Sequence, residues 1–181
     1  MSTTADRTAV ANGTWQSDPT HSTVSFRIVY MGIAPFEGTF RNFDATLDEN
    51  GLRGVAQAAS IDVDNEQLSE HLASPDFFDT ANHPELRFEG GPLRVAAEGA
   101  VEVEGVLVVK GNSEPVTLTG TLTKPAADPY GNTKRGLTLS GTVDRTALGL
   151  TWNAPLPDGG TMLADEVELT AALLLVPGEE R

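Results

Sequence analysis

Apolar and polar residues alternate along most of the chain from residue 14 onward. In the clearest run, Val24, Phe26, Ile28 and Tyr30 fall on one face, with the polar residues Ser25 and Arg27 between the first three. A period of two is typical of β-strands that bury one face. Similar runs recur in these segments: 36–47, 55–63, 86–95, 101–109, 116–122, 137–143 and 167–176. Roughly eight to ten strands in hairpin order, without alternating helices, predict an antiparallel barrel or sandwich.

The segment 65–79 breaks the alternation and predicts a short helical insertion. Leu68 and Leu72 stand four residues apart, and Asn65 is a favourable N-cap residue. We therefore expect a helix from about Glu66 to Ala73 that ends before Pro75, because proline disfavours helical geometry in the preceding residue. Earlier in the chain, the pair Asn50-Gly51 predicts a hairpin turn.

Several predicted strands carry a glycine in the middle of the apolar face. The four positions are Gly38, Gly105, Gly120 and Gly141. Glycine inside a strand permits sharp coiling or leaves interior space empty, and it also marks bulges. Four such positions on apolar faces favour a hollow barrel over isolated bulges.

The chain length of 181 residues predicts a single domain. Residues 1–13 are small and polar and predict a flexible tail, with the domain over 14–178. The N-terminus lacks a basic segment followed by an apolar one, so we expect a cytoplasmic protein, with a trimmed secreted form left open. No run of eighteen apolar residues occurs, so we expect no stable membrane insertion.

Acidic residues outnumber basic ones by 26 to 12, which gives a formal net charge of −14. This charge repels phosphate backbones and anionic membranes, so nucleic acid is not an expected partner. High net charge also keeps a protein soluble. The absence of cysteine excludes disulfides, thiolate metal sites and cysteine nucleophiles.

None of the common catalytic or metal-binding motifs occurs in the sequence. The three histidines have neither HExxH nor H-x-H spacing, and we expect no metal and no cofactor. Asp18, His21 and Ser22 suggest a triad, but residues so close along an extended strand do not converge on one reacting atom. The prediction is therefore a binding protein rather than an enzyme.

Five sequence motifs occur in order along residues 14–176. They are Trp15–Ser22, Gly38–Phe40 with Phe43, His71–Asp79 followed by His83-Pro84 and Phe88, Gly105–Leu107 with Lys110-Gly111 and Pro115-Val116, and Asp144–Leu150. Together they resemble the YceI-like family of lipocalin-like barrels. The resemblance implies an extended antiparallel barrel of about eight strands with a deep apolar tunnel. It also implies binding of polyisoprenoids, isoprenoid quinones or similar long-chain amphiphiles, without established catalysis.

The tunnel wall expected from the strand pattern and the resemblance is mainly aromatic and aliphatic. The wall residues are Phe26, Ile28, Tyr30, Phe36, Phe40, Phe43, Phe88, Leu107, Leu118, Leu139 and Trp152. Phe77 and Phe78 are expected to pack as a plug without ligand contact. The chain departs from the family at Tyr30-Met31-Gly32, where relatives often carry histidine. A phenol there can donate a hydrogen bond but does not become charged near neutral pH.

Two polar residues are candidates for positions near the pocket. His21 either donates a hydrogen bond there or ties the first strand to a loop. Arg145 either binds an acidic head group or forms an ion pair with Asp18 or Asp144.

Three alternatives stay open at this point. In the first, the barrel has a filled core and the protein acts as a stress-related interaction module. In the second, the ligand is a fatty acid or fatty amide. An exposed edge strand would also allow a homodimer.

Overall fold

The chain folds into an antiparallel β-barrel in a computed structural model that describes residues 13–178. Its elements are β1 (Trp15–Ser17), β2 (Thr23–Tyr30), β3 (Ala34–Phe40), β4 (Phe43–Asp48), β5 (Gly51–Gln57), β6 (Ile61–Asp62), α1 (Glu66–Ala73), β7 (Glu85–Gly90), β8 (Arg94–Val95), β9 (Ala100–Val109), β10 (Asn112–Leu122), β11 (Ala126–Ala127), β12 (Thr133–Asp144) and β13 (Leu163–Pro177). The predicted tail, residues 1–13, lies outside the described residues except for Gly13.

Eight strand positions close the barrel, in the order β12, β10, β9, β7, β5, β4, β1 and β13. Closure comes from β13, which pairs with β12 from Arg135↔Leu175 to Asp144↔Glu166. The other edge of β13 pairs with β1 and β2, which follow one another along it. In the same way, β3 continues into β4, and β5 continues into β6. The predicted fold class is therefore confirmed.

The antiparallel register defines two ends of the barrel. At the Trp15 end, Trp15 pairs with Pro177 and the turn between β4 and β5 closes the wall. At the Tyr30 end, Tyr30 pairs with Leu163 and the β2–β3 turn projects. The short helix α1 packs beside the Tyr30 end, against β6. No helix among residues 13–178 has both the length and the apolar character needed to cross a bilayer.

The helix begins and ends where the sequence predicts. The side chain of Asn65 accepts a hydrogen bond from the Leu68 amide at 3.0 Å, which satisfies one of the free donors of the first turn. Ser74 adopts an extended backbone and ends the helix before Pro75. The hairpin predicted at Asn50-Gly51 also forms, although Gly51 is the first residue of β5 and not part of the two-residue loop.

A tightly packed core fills the Trp15 end of the barrel. Leu47, Leu137 and Leu175 have no accessible surface, and Val103 has 1 %. The buried Arg135 guanidinium lies 5.3 Å from the Trp15 ring centroid, in cation–π geometry. Since these side chains interdigitate across the barrel, no channel passes through this end.

Candidate ligand-binding cavity

The other half of the barrel is hollow. A cavity of about 570 Å³ extends from the barrel centre to the Tyr30 end. Its lining does not include Trp15, Leu47, Leu137 or Leu175, which fill the opposite end. The deep apolar tunnel that the resemblance implied thus corresponds to a blind cavity, which is closed at the Trp15 end. Its volume lies within the range of about 300–1,000 Å³ typical of ligand sites.

All eleven residues predicted for the tunnel wall line this cavity. They are Phe26, Ile28, Tyr30, Phe36, Phe40, Phe43, Phe88, Leu107, Leu118, Leu139 and Trp152. Ten of them lie on strands whose side chains alternate between the lumen and the outer surface. Their position on the wall is established, whereas their contact with a ligand stays a prediction.

Inner-face side chains in the hollow half remain partly accessible. Phe36, Phe43, Phe88 and Leu107 are half-buried although they point away from the outer surface. In a filled core such residues would pack to near-complete burial, as Leu137 does at the Trp15 end. The accessible apolar surface therefore faces the empty lumen.

The strand glycines do not create this space. A Cβ at Gly38 would lie 2.5 Å from Cζ of Phe26, and one at Gly105 would lie 2.6 Å from Cζ of Phe88. A Cβ at Gly120 would collide with the Thr138 carbonyl, and one at Gly141 would lie 2.7 Å from that of Thr117. Of the two roles considered for these four glycines, empty interior space does not apply, because aromatic rings and neighbouring backbone occupy it.

A different glycine leaves room in the wall. Gly54 lies on β5 opposite Ala45, and the nearest atom to a Cβ at Gly54 would be the Asp44 carbonyl oxygen at 3.8 Å. Both Gly54 and Ala45 line the cavity, so two small residues face the lumen side by side. The sequence pattern gave no reason to separate Gly54 from the other strand glycines, because crowding depends on the neighbouring strands.

The helical insertion contributes a second part of the wall, which the sequence analysis missed. Leu68, His71 and Leu72 of α1 line the cavity, as do Phe77 and Phe78. The Phe78 ring meets Phe40 edge to face at 5.7 Å. Phe77 and Phe78 therefore form part of the cavity wall, while the expectation that they make no ligand contact stays a prediction. The amphipathic spacing of Leu68 and Leu72 was the available signal.

An aromatic cluster connects this insertion to the loop after β12. The His71 ring lies edge-on to Phe77 and Trp152, at centroid distances of 5.1 and 5.2 Å. His71 Nε2 also lies 3.2 Å from a carboxylate oxygen of Asp76. These contacts hold Trp152 against the helix, although Trp152 itself lies outside the strands.

His21 does not line the cavity, which corrects its assignment as a polar group near the pocket. It lies in the turn after β1, with its side chain 60 % exposed and Nδ1 2.8 Å from the Asp18 carboxylate. This hydrogen bond is the main cause that lowers the pKa of Asp18. Ser22 instead hydrogen-bonds with the backbone of Leu174. The Asp18–His21 contact organises the turn between β1 and β2.

Arg145 lies beside the cavity and holds the loop that follows it. Its Nε donates to the Ala164 carbonyl at 2.8 Å, and its Nη1 donates to the carbonyls of Leu150 and Trp152 at 2.5 and 2.9 Å. The side chain is 4 % exposed, and Nη2 lies 3.8 Å from Asp165. The expected ion pairs of Arg145 with Asp18 or Asp144 are thus replaced mainly by bonds to backbone carbonyls.

Burial lowers the pKa of the Arg145 guanidinium, and the carboxylates of Asp165 and Asp144 partly oppose that effect. Three carbonyls accept hydrogen bonds from its Nε and Nη1, whereas its Nη2 is buried without a hydrogen-bond partner in the described part of the chain. Within residues 13–178, no group of three or more histidine, aspartate or glutamate side chains is placed to hold a metal ion.

The fold and the cavity define a lipocalin-like antiparallel barrel with an internal apolar cavity. The chain belongs to the YceI-like family, whose domain model matches residues 15–175. A UPF0312 protein of Staphylococcus epidermidis is 31% identical over 163 residues, which cover 86% of this chain and 92% of the relative. One from Photorhabdus laumondii is 32% identical over 130 residues, covering 68% of this chain and 67% of the relative. The family predicted from the motifs is confirmed.

Solved structures share the same fold. BcnA of Burkholderia cenocepacia has a TM-score of 0.70 at 21% identity, covering 87% of this chain and 98% of that one. The YCEI protein of Campylobacter jejuni has a TM-score of 0.72 at 21% identity, covering 84% and 91%. A polyisoprenoid binding domain from Saccharophagus degradans has a TM-score of 0.69 at 12% identity, covering 91% and 98%. At these identities the similarity establishes the fold.

Proposed function

We propose that this protein binds a long-chain apolar ligand, a polyisoprenoid or an isoprenoid quinone, as a carrier, storage or sequestration protein. The observation that carries the proposal is the blind cavity of about 570 Å³ with its apolar lining. The description of the Saccharophagus degradans domain as polyisoprenoid-binding supports the same ligand class. The proposal assigns no catalytic step.

The size of the cavity limits how much of a chain it accommodates. If an apolar carbon takes about the 30 Å³ that a water molecule occupies in the liquid, the cavity holds roughly 19 carbons. That corresponds to about four isoprene units. A longer chain would extend out of the Tyr30 end, since packed side chains fill the Trp15 end.

Burial of hydrocarbon supplies the affinity in this proposal. Each buried methylene contributes about 0.8 kcal/mol, so roughly 19 carbons contribute on the order of 15 kcal/mol before the costs of association. Those costs, which include ordering of the chain, remove about 4–15 kcal/mol. The difference, about 0–11 kcal/mol, is the affinity available without polar contacts. Polar side chains are correspondingly scarce in the wall.

The lining favours an uncharged tail over a fatty acid inserted head first. Burying a carboxylate is costly unless a cation pairs with it. Arg145 is the buried cation beside the cavity. Its Nε and Nη1 are hydrogen-bonded to three carbonyls, and its Nη2, which has no hydrogen-bond partner among the described residues, already lies 3.8 Å from the Asp165 carboxylate. A fatty acid would have to keep its carboxylate at the mouth.

The two tryptophans of the chain give a direct test. Trp152 lines the cavity, whereas Trp15 is buried in the packed core at the opposite end. Quinones quench indole fluorescence on contact, so a menaquinone with a side chain matched to the cavity should quench Trp152 selectively. We expect saturable quenching in the wild type and in Trp15→Phe, and its loss in Trp152→Phe.

Competition extends this test to ligands that do not quench. A polyprenol of matched length should displace the quinone, and native mass spectrometry should detect one bound molecule per chain. Equal quenching of the two single-tryptophan variants would place the quinone elsewhere and contradict the proposal. Absence of quenching and of any bound mass with quinones, polyprenols and fatty acids would instead support a filled-core interaction module.

A further inference from the structure

Large apolar side chains are exposed together at one turn. Of the six that are exposed among residues 13–178, four lie at the end of β2 and in the turn that follows it: Val29, Tyr30, Met31 and Ile33. Ile33 is the most exposed of these four, at 80%. We call residues 29–35, all of which are exposed, the apolar tip. Such clustering on a soluble protein indicates an interaction surface.

The apolar tip is also free of charge. No charged residue occurs between Arg27 and Glu37, although 21% of the residues in the chain are charged and the net charge is −14. A surface that avoids charge over this length is suited to an apolar environment. The rest of the molecule is suited to water and is repelled by anionic surfaces.

The backbone of the tip is already hydrogen-bonded. The Met31 amide donates to the Met162 carbonyl at 2.7 Å, and the Ile33 amide donates to the Tyr30 carbonyl at 3.0 Å. Unsatisfied backbone groups are what make loops costly to place in hydrocarbon. These internal bonds lower that cost for the apolar tip.

The apolar tip adjoins the cavity at the Tyr30 end of the barrel. Tyr30 lines the cavity and is 41% exposed, so a single side chain faces both the lumen and the outer surface. Its neighbours Met162 and Leu163, which the tip contacts through backbone pairing, line the cavity as well. The apolar lining of the lumen therefore continues without interruption onto the exposed surface.

We propose that the apolar tip docks on the surface of a lipid bilayer, so that the ligand passes between the bilayer and the cavity without entering water. This inference rests on the proposed function. The partner is an electrically neutral, zwitterionic lipid surface, because the net charge of −14 opposes approach to anionic lipids. The docking is peripheral, through a tip of a few residues, and involves no spanning segment.

The test uses the full chain and vesicles of phosphatidylcholine. Ile33→Asp and Val29→Asp place a charge on the tip at positions that do not line the cavity. Tyr130→Asp is the matched control, because Tyr130 is 88% exposed at the Trp15 end. The first measurement is the vesicle-bound fraction in flotation. The second is the initial rate at which menaquinone leaves vesicles for the protein, followed by quenching of Trp152.

We expect each tip variant to lower the bound fraction and the transfer rate at least fivefold, while the control matches the wild type. Equilibrium quenching by menaquinone added from ethanol should be the same in all four proteins. Adding phosphatidylglycerol to the vesicles at low salt should reduce binding, and salt should restore it. Binding that increases with phosphatidylglycerol would overturn the neutral-surface assignment.

Two further outcomes separate this inference from the proposed function. If no variant takes up menaquinone from ethanol but the tip variants still lose vesicle binding, docking stands and the proposed ligand class fails. If the wild type does not float and sediments as a dimer that Ile33→Asp dissociates, the apolar tip is a contact between two copies, and bilayer docking is overturned.

Discussion

The ring of Phe26 lies against the backbone of Gly38, its direct partner across the β2–β3 ladder. A Cβ at Gly38 would lie 2.5 Å from Cζ of Phe26 and 2.9 Å from Cγ1 of Val63. The ring therefore lies along the barrel wall over the neighbouring strand, and does not project across the lumen. Absence of a side chain at one position thus determines the direction of an aromatic side chain on the next strand.

Gly38→Ala should destabilise the barrel by about 1–3 kcal/mol, because the new methyl group overpacks against Phe26 and Val63. Gly54→Ala is the matched control, since the nearest atom to its Cβ would lie 3.8 Å away. The free energy of unfolding of that variant should equal that of the wild type or exceed it by up to about 1 kcal/mol, because alanine reduces the entropy of the unfolded chain. Urea unfolding of the three proteins measures both values. Equal stability of the two variants would contradict the packing described at Gly38.

Gly54→Phe should weaken ligand binding while the fold is kept. The ring would enter the open space beside Ala45 and occupy part of the lumen. We expect menaquinone affinity to fall at least tenfold, whereas Gly54→Ala retains it. Fluorescence quenching measures the affinity, and far-ultraviolet circular dichroism verifies the fold. Undiminished affinity in a folded Gly54→Phe protein would mean that the ligand binds outside the cavity.

Arg145→Met should be strongly destabilising. Hydrogen bonds from a charged donor contribute about 1.5–3 kcal/mol each, and one buried and two half-buried carbonyls would lose theirs. Since such contributions are not additive, we expect a loss of about 3–5 kcal/mol. Arg94→Met is the control, because the exposed Arg94 pairs with Glu102 and Glu104 at the surface. Its effect should stay within about 0.5 kcal/mol in the same unfolding measurement.

The contribution of Asp48 to the free energy of unfolding should depend on pH. The hydrogen bond from Arg53, together with the amides of Asn50 and Gly51, lowers the pKa of the Asp48 carboxyl in the folded state. Its carboxylate therefore stabilises the fold above the unfolded-state pKa of about 3.9, and this contribution is lost as the pH falls through the lower folded-state pKa.

We expect Asp48→Asn to be less stable than the wild type at pH 7 by about 1 kcal/mol. The difference should narrow at pH values below about 4. Glu49→Gln changes the charge of an exposed residue in the same turn and should have little effect at either pH. Urea unfolding across the acid range follows the difference. If the difference in free energy of unfolding between Asp48→Asn and the wild type persists at low pH, the effect comes from packing and not from the charge of Asp48.

Much of the site could be predicted because strand faces are local. Alternation places Phe26, Leu107 and Leu139 on inner faces whatever the rest of the barrel does. The helix Glu66–Ala73 follows from Asn65 and the spacing of two leucines. The positions of Phe77, Phe78 and His71 were not predictable in this way, because a helix beside a barrel can present its apolar side to a filled or to an empty interior.

The strands, the short helix and the family follow from local sequence patterns. The packed and hollow halves of the barrel, the crowding of four strand glycines but not of Gly54, and the bonds of Arg145 to carbonyls instead of carboxylates are visible only in the folded chain. They depend on contacts between residues that are distant along the chain. Barrel closure by β12 and β13 and the contacts across the lumen join residues that are far apart in sequence, and packing density depends on which side chains meet there.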